Sequence, residues 1–132
     1  MIMITSRGKP GTEEEEERFG VGLIKSCIFY NFFDQCRAGV NSSLWFEKCH
    51  LSEARNCSVH AVNPKVIKVL NCTVSKPCMT AFKIEWLRNS SNTDKARTIK
   101  LTGNEIYGSG NDSIIITSKN DFSAHNLKIM IY

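Results

Sequence analysis

The chain has 132 residues, enough for one domain with one modest core. Its apolar (42%) and charged (23%) contents are those of a globular protein and exclude a disordered or fibrous class. The net charge of +4 divides unevenly: residues 1–18 carry three basic and five acidic side chains, residues 19–132 fourteen basic and eight acidic. The basic residues of this body are scattered, which speaks against nucleic-acid binding.

Residues 1–18 read as a disordered acidic leader. Gly8, Pro10 and Gly11 break local order, and Glu13 to Glu17 repel one another. Residues 19–132 read as a single domain with a cysteine-rich first half. The most apolar stretch, FGVGLIKSCIFYNFF (19–33), is interrupted by Lys25 and Asn31 and is shorter than a bilayer requires. It is expected to be a buried strand or helix, not a membrane span. The segment SSLWFEKCHLSEARN (42–56) fits either a short helix capped by Ser42 or Ser43, with Leu44, Phe46 and Leu51 inward, or a disulfide-tied loop.

From residue 62 onward the pattern predicts strands. VIKVL (66–70) is short and β-branched. FKIEWL (82–87) alternates, with Phe82, Ile84 and Trp86 on one face and Lys83 and Glu85 on the other. TIKLT (98–102) and LKIMIY (127–132) alternate likewise, and SIIIT (113–117) predicts a strand buried on both faces. The links NSSNTDK (89–95) and GSGND (108–112) are turn-rich, the latter predicting a hairpin and not a phosphate loop. The expected fold class is mainly β, an antiparallel β-sandwich.

Six cysteines, Cys27, Cys36, Cys49, Cys57, Cys72 and Cys78, cluster in residues 27–78. An even set without a C-x-x-C pair predicts disulfides in an oxidising compartment, with 15 pairings open, and no zinc site. Five N-x-S/T triplets begin at Asn41, Asn56, Asn71, Asn89 and Asn111, where chance composition gives about two. A cysteine in the middle of the Asn56 and Asn71 triplets competes with glycosylation if its disulfide closes first. Cysteines and triplets together predict an extracellular or cell-surface location, although the chain starts with no signal peptide.

The segments VLNCTV, FKIEWLRNSS and NEIYGSGNDSIIITSKNDFSA resemble an immunoglobulin-superfamily domain over residues 62–126. The resemblance places Cys72 on the second strand and Trp86 on the third as core tryptophan. Arg88-Asn89 would follow as a turn, Cys78 would be an additional half-cystine, and Asp121 and Ala124 echo the motif before the last strand. The expected Tyr-x-Cys is absent, because the stretch reads HNLKIMIY (125–132). The sandwich is therefore expected to be incomplete, and the chain to be a fragment or splice form of a larger ectodomain. At this level a fibronectin-type domain or the β-sandwich leg of an adhesion receptor looks similar.

No catalytic, cofactor or metal constellation emerges. His50, His60 and His125 are isolated, and the acidic residues match no EF-hand loop. The expected function is recognition of another protein, of immune-receptor or adhesion type, without catalysis. Arg88, Arg97 and Tyr107 are the candidate contacts, since arginine and aromatic side chains anchor interfaces. The alternative is a self-contained secreted effector or immune modulator stapled by three disulfides.

Overall fold

The computed structural model describes residues 2–4, 21–87, 96–119 and 127–132. They form fourteen short strands and, among the described residues, no helix. In chain order these are β1 (Ile2–Ile4), β2 (Val21–Lys25), β3 (Ile28–Tyr30), β4 (Cys36–Ala38), β5 (Ser43–Glu47), β6 (His50–Ser52), β7 (Cys57–Val62), β8 (Val66–Leu70), β9 (Thr73–Ser75), β10 (Thr80–Trp86), β11 (Arg97–Thr102), β12 (Glu105–Tyr107), β13 (Ile114–Ser118) and β14 (Leu127–Ile131).

Among the described residues no strand pairs with its sequence neighbour. Each pairs with the strand three places on, giving three sheets ordered β1-β4-β7-β10-β13, β2-β5-β8-β11-β14 and β3-β6-β9-β12. Every pairing among the described strands is parallel. The backbone therefore winds as a three-sided parallel solenoid, one strand per side in each coil. Register fixes the coil length: Leu44 pairs with Ile67 and Leu51 with Val74, a step of 23 residues (67 − 44). The next coil is longer, because Ile67 pairs with Ile99, a step of 32 (99 − 67), and the extra residues fall between β10 and β11.

The expected antiparallel sandwich is thus overturned. Alternation along a short strand says only that one face is buried. It does not say whether the hydrogen-bonding neighbour is the next strand or the strand one coil later. Trp86 is in the core as expected, fully buried with its Nε1–H donated to the Pro64 carbonyl at 3.1 Å. Cys72, however, lies at a corner between β8 and β9, and the 108–112 segment turns from one sheet to another without making a hairpin. Leu44, Phe46 and Leu51 point inward as expected, on strands and not on a helix.

Like side chains stack inside. Leu44, Ile67 and Ile99 form one buried column, Phe46, Val69 and Leu101 a second, and Val59 with Phe82 part of a third. Each such side chain withdrawn from water contributes about 1.5–3 kcal/mol. The corners repeat too. IKSCIFY (24–30), FEKCHLS (46–52), VLNCTVS (69–75) and LTGNEIY (101–107) occupy equivalent places in successive coils. In each, the third residue turns the corner in the left-handed region: Ser26 (φ 51°), Lys48 (53°), Asn71 (51°) and Gly103 (66°). Glycine takes this conformation freely and asparagine tolerates it better than serine or lysine.

Candidate functional site

The segment Tyr30-Asn31-Phe32-Phe33-Asp34-Gln35 carries the chain from β3 to β4. Asn31 (φ 63°) and Phe32 (φ 92°) are consecutive left-handed residues. That geometry is unusual for a bulky aromatic and marks a place where surroundings dictate the backbone. Tyr30 already faces outward at the end of β3, and Phe32 and Phe33 on the turn are exposed beside it: 62%, 47% and 63% respectively. Together with Asn31 and Arg55 they line an open depression of about 600 Å³. The sequence pattern places residues 19–33 in the interior; Leu23, Ile28, Tyr30, Phe32 and Phe33 lie at the surface instead.

The strained turn is held from below. Arg55 and Asn56 donate their N–H groups to the Phe32 and Phe33 carbonyls at 2.7 and 2.8 Å. Gln35 is fully buried, and its Nε2 donates to the carbonyls of Ser52 at 2.6 Å and Phe29 at 3.2 Å. Asn31 Oδ1 accepts from Phe32 N–H at 3.0 Å and from Arg55 Nε at 3.1 Å. The Asp34 carboxylate is 1% exposed and accepts from Arg37 Nε at 2.8 Å, Asn56 Nδ2 at 2.8 Å and Cys57 N–H at 3.1 Å. Burial pushes its carboxyl up, but these donors and the Arg37 charge more than offset that and hold it below the usual range. The aromatic group thus projects from a hydrogen-bonded base.

Asp34 continues into a polar row on the outer face of the first sheet. His60 Nδ1 lies 3.7 Å from Asp34 Oδ2, and its Nε2 lies 3.7 Å from Glu85 Oε1, while Glu85 Oε2 lies 3.5 Å from Lys83 Nζ. Around the corner, Trp45 is exposed on the second sheet, with Lys68 Nζ 5.0 Å and Lys25 Nζ 6.0 Å from its ring centre. Trp45, Leu23 and Lys68 help to line a second depression of about 370 Å³.

The residues expected from sequence are dispersed. Tyr107 is exposed, with its hydroxyl donated to Glu105 at 2.7 Å, which raises its pKa. Arg97 is 1% exposed, and its Nη1 donates to Asn41 Oδ1 at 2.8 Å; burial lowers its pKa. Arg88 and Asn89 lie outside the described residues, as do Asp121, Ala124, His125 and residues 5–18 of the leader. Ile2–Ile4 of the leader pairs with β4.

Among the glycan triplets, Asn41 is 5% exposed, Asn56 is half-buried against Asp34, and Asn71 and Asn111 are exposed. All six cysteines are free thiols; Cys27 and Cys78 are exposed, and Cys36, Cys49, Cys57 and Cys72 are buried. Burial pushes the Cys36 thiol up to about 12 and the Cys72 thiol up to about 11. Among the described residues there is no metal-binding cluster and no helix long and apolar enough to cross a membrane.

Tyr30, Phe32, Phe33 and Arg55 were not legible as a site. The signal that existed is the run FYNFFD: of its four aromatics one, Phe29, packs inward, edge-on against Phe46 at 5.8 Å. No protein-family model, curated protein or solved structure matches this chain.

Proposed function

We propose that this chain is an extracellular, non-catalytic module that recognises another protein, and that the aromatic turn Tyr30-Asn31-Phe32-Phe33 with Arg55 is its contact. The observation that carries this reading is the left-handed Phe32, φ 92°, held over a fixed hydrogen-bonded base with two neighbouring aromatics exposed. Exposed aromatic clusters of this kind cost solubility and mark interaction surfaces. Aromatic and arginine side chains supply most hot-spot energy, and a rigid turn loses little entropy on binding. The exposed glycan triplets at Asn71 and Asn111 support the extracellular location.

The test uses the chain secreted from a eukaryotic host and a panel of immobilised recombinant ectodomains. A partner found there should bind the Phe33→Ala and Arg55→Ala variants at least about tenfold more weakly, since each hot-spot truncation costs about 1–4 kcal/mol. Equal affinity of both variants, with unchanged thermal stability, would overturn the assignment. Chain secreted behind a supplied signal sequence but carrying no glycan at Asn71 or Asn111 would overturn the location.

A further inference from the structure

Cys27, Cys49 and Cys72 occupy the same corner of three successive coils. Their peptide groups are stitched together directly: His50 N–H donates to the Cys27 carbonyl at 2.9 Å, Thr73 N–H to that of Cys49 at 2.9 Å, and Glu105 N–H to that of Cys72 at 3.0 Å. Hydrogen-bonded neighbours in a parallel stack lie about 4.8 Å apart. That separation is inside the range of about 4.4–6.8 Å over which a disulfide spans two Cα atoms. Each sulfur sits against the carbonyl two residues back in its own coil, Lys25 at 3.2 Å, Glu47 at 3.4 Å and Leu70 at 3.3 Å, so the three thiols share one orientation, and two of them also reach the preceding coil. Cys72 Sγ accepts from Cys49 N–H at 3.4 Å, and Cys49 Sγ points to the Ile24 carbonyl of the preceding coil at 3.5 Å.

The other three cysteines have no such neighbour. Cys36 is level with Val59, and Cys57 with Thr80. Cys36 and Cys57 are therefore one coil and two residues apart, a diagonal of about 8 Å that no disulfide crosses without backbone movement. Both lie in the core, whereas Cys78 is exposed.

We propose that the Cys27–Cys49–Cys72 column is a disulfide-forming site that holds one intrachain bond at a time, centred on Cys49. The exposed Cys27 reacts first. Its thiolate attacks an external disulfide, RSSR, giving a Cys27–S–S–R mixed disulfide and one RS⁻. Cys49 then loses its proton to solvent and attacks the Cys27 sulfur, closing Cys27–Cys49 and expelling the second RS⁻. In total two thiols and RSSR become one protein disulfide and two RSH, and two electrons pass to the external disulfide. Cys72 can attack Cys49 in turn, moving the bond to Cys49–Cys72 and returning a thiol at Cys27 with no net redox change. Of the 15 complete pairings of six cysteines, the register permits none.

The folded chain is incubated with glutathione disulfide, its free thiols are alkylated under denaturing conditions, and linked peptides are mapped by fragmentation mass spectrometry. The expected product is one intrachain bond, Cys27–Cys49 or Cys49–Cys72, with Cys36 and Cys57 alkylated and Cys78 alkylated or carrying glutathione. A bond to Cys36, Cys57 or Cys78 within the chain, or a column recovered wholly alkylated, overturns the site. In Cys27→Ser, an exposed and structurally mild change, closure should slow about tenfold or more and yield only Cys49–Cys72. An unchanged rate overturns the role of Cys27 as first reactant. Cys72→Ser should still close Cys27–Cys49, and its failure to do so while folded overturns the exchange.

Discussion

Asn104 stands in the fourth coil where Cys72 stands in the third, and its side chain closes the column: its Oδ1 accepts the Cys72 N–H at 2.9 Å and its Nδ2 donates to the Val69 carbonyl at 2.8 Å. One amide thus satisfies two backbone groups of the coil below. Asn104→Ala should cost about 1–3 kcal/mol, because it leaves backbone groups near the core without partners. Urea denaturation followed by circular dichroism would read this as a lower midpoint with an unchanged slope.

Trp86 fills the interior at the end of β10 and is tied to Pro64 one coil away. Trp86→Ala should cost about 3–5 kcal/mol through the cavity it opens. Trp86→Phe keeps most of the volume but abandons the Pro64 carbonyl, so it should cost less. Equal losses for both variants in thermal melts would mean that the hydrogen bond, not the packing, dominates.

Asp34 should make the fold acid-sensitive. Its folded carboxyl titrates below the value of about 3.9 expected for an unfolded aspartate. A lowered folded pKa means stability that is present above that unfolded value and lost as pH falls through the folded one. The stability difference between the native chain and Asp34→Asn should therefore hold steady at neutral pH and shrink below about pH 4. A difference independent of pH in paired urea titrations would show that the charge of Asp34 contributes nothing.

Glycan occupancy should follow exposure. Asn41 is buried with Oδ1 held by Arg97, and the Asn56 amide is committed to Asp34. Asn71 sits exposed at a corner and Asn111 on an open link. Folded protein secreted from a eukaryotic host should carry glycan at Asn71 and Asn111 and none at Asn41 or Asn56. Glycopeptide mass spectrometry decides this, and a glycan on Asn41 of folded material would contradict the packing around Arg97.

The strands themselves were readable. VIKVL matches β8 residue for residue, and the inward set Phe82, Ile84, Trp86, Ile99 and Leu101 follows from alternation alone. Their partners were not readable that way, since alternation has the same period in a sandwich and a solenoid. The deciding signal was repetition. FEKCHLS and VLNCTVS, 23 residues apart, share an inward residue, a left-handed corner and a cysteine in the same order. The longer 32-residue coil and the replacement of cysteine by Asn104 dilute that signal in the following copy. The aromatic site was obscured for a different reason. Composition cannot distinguish an apolar run that is buried from one left exposed around two left-handed residues at Asn31 and Phe32.

Because β7 and β8 are covered by a strand on each edge, whereas β13 and β14 are covered on one, the backbone amides of this molecule are not equally safe from water. A stack whose layers touch only the layers above and below opens by peeling, not all at once. Hydrogen exchange should accordingly be slowest at Val59, Ile67 and Val69 and fastest along β14, where Ile129 and Ile131 are already exposed. The Cys27–Cys49 part of the cysteine corner sits toward the other side of this gradient, so a bond there would act as a brake on peeling, whereas a Cys49–Cys72 bond would tie the slow-exchanging centre beside β8 to the coil before it.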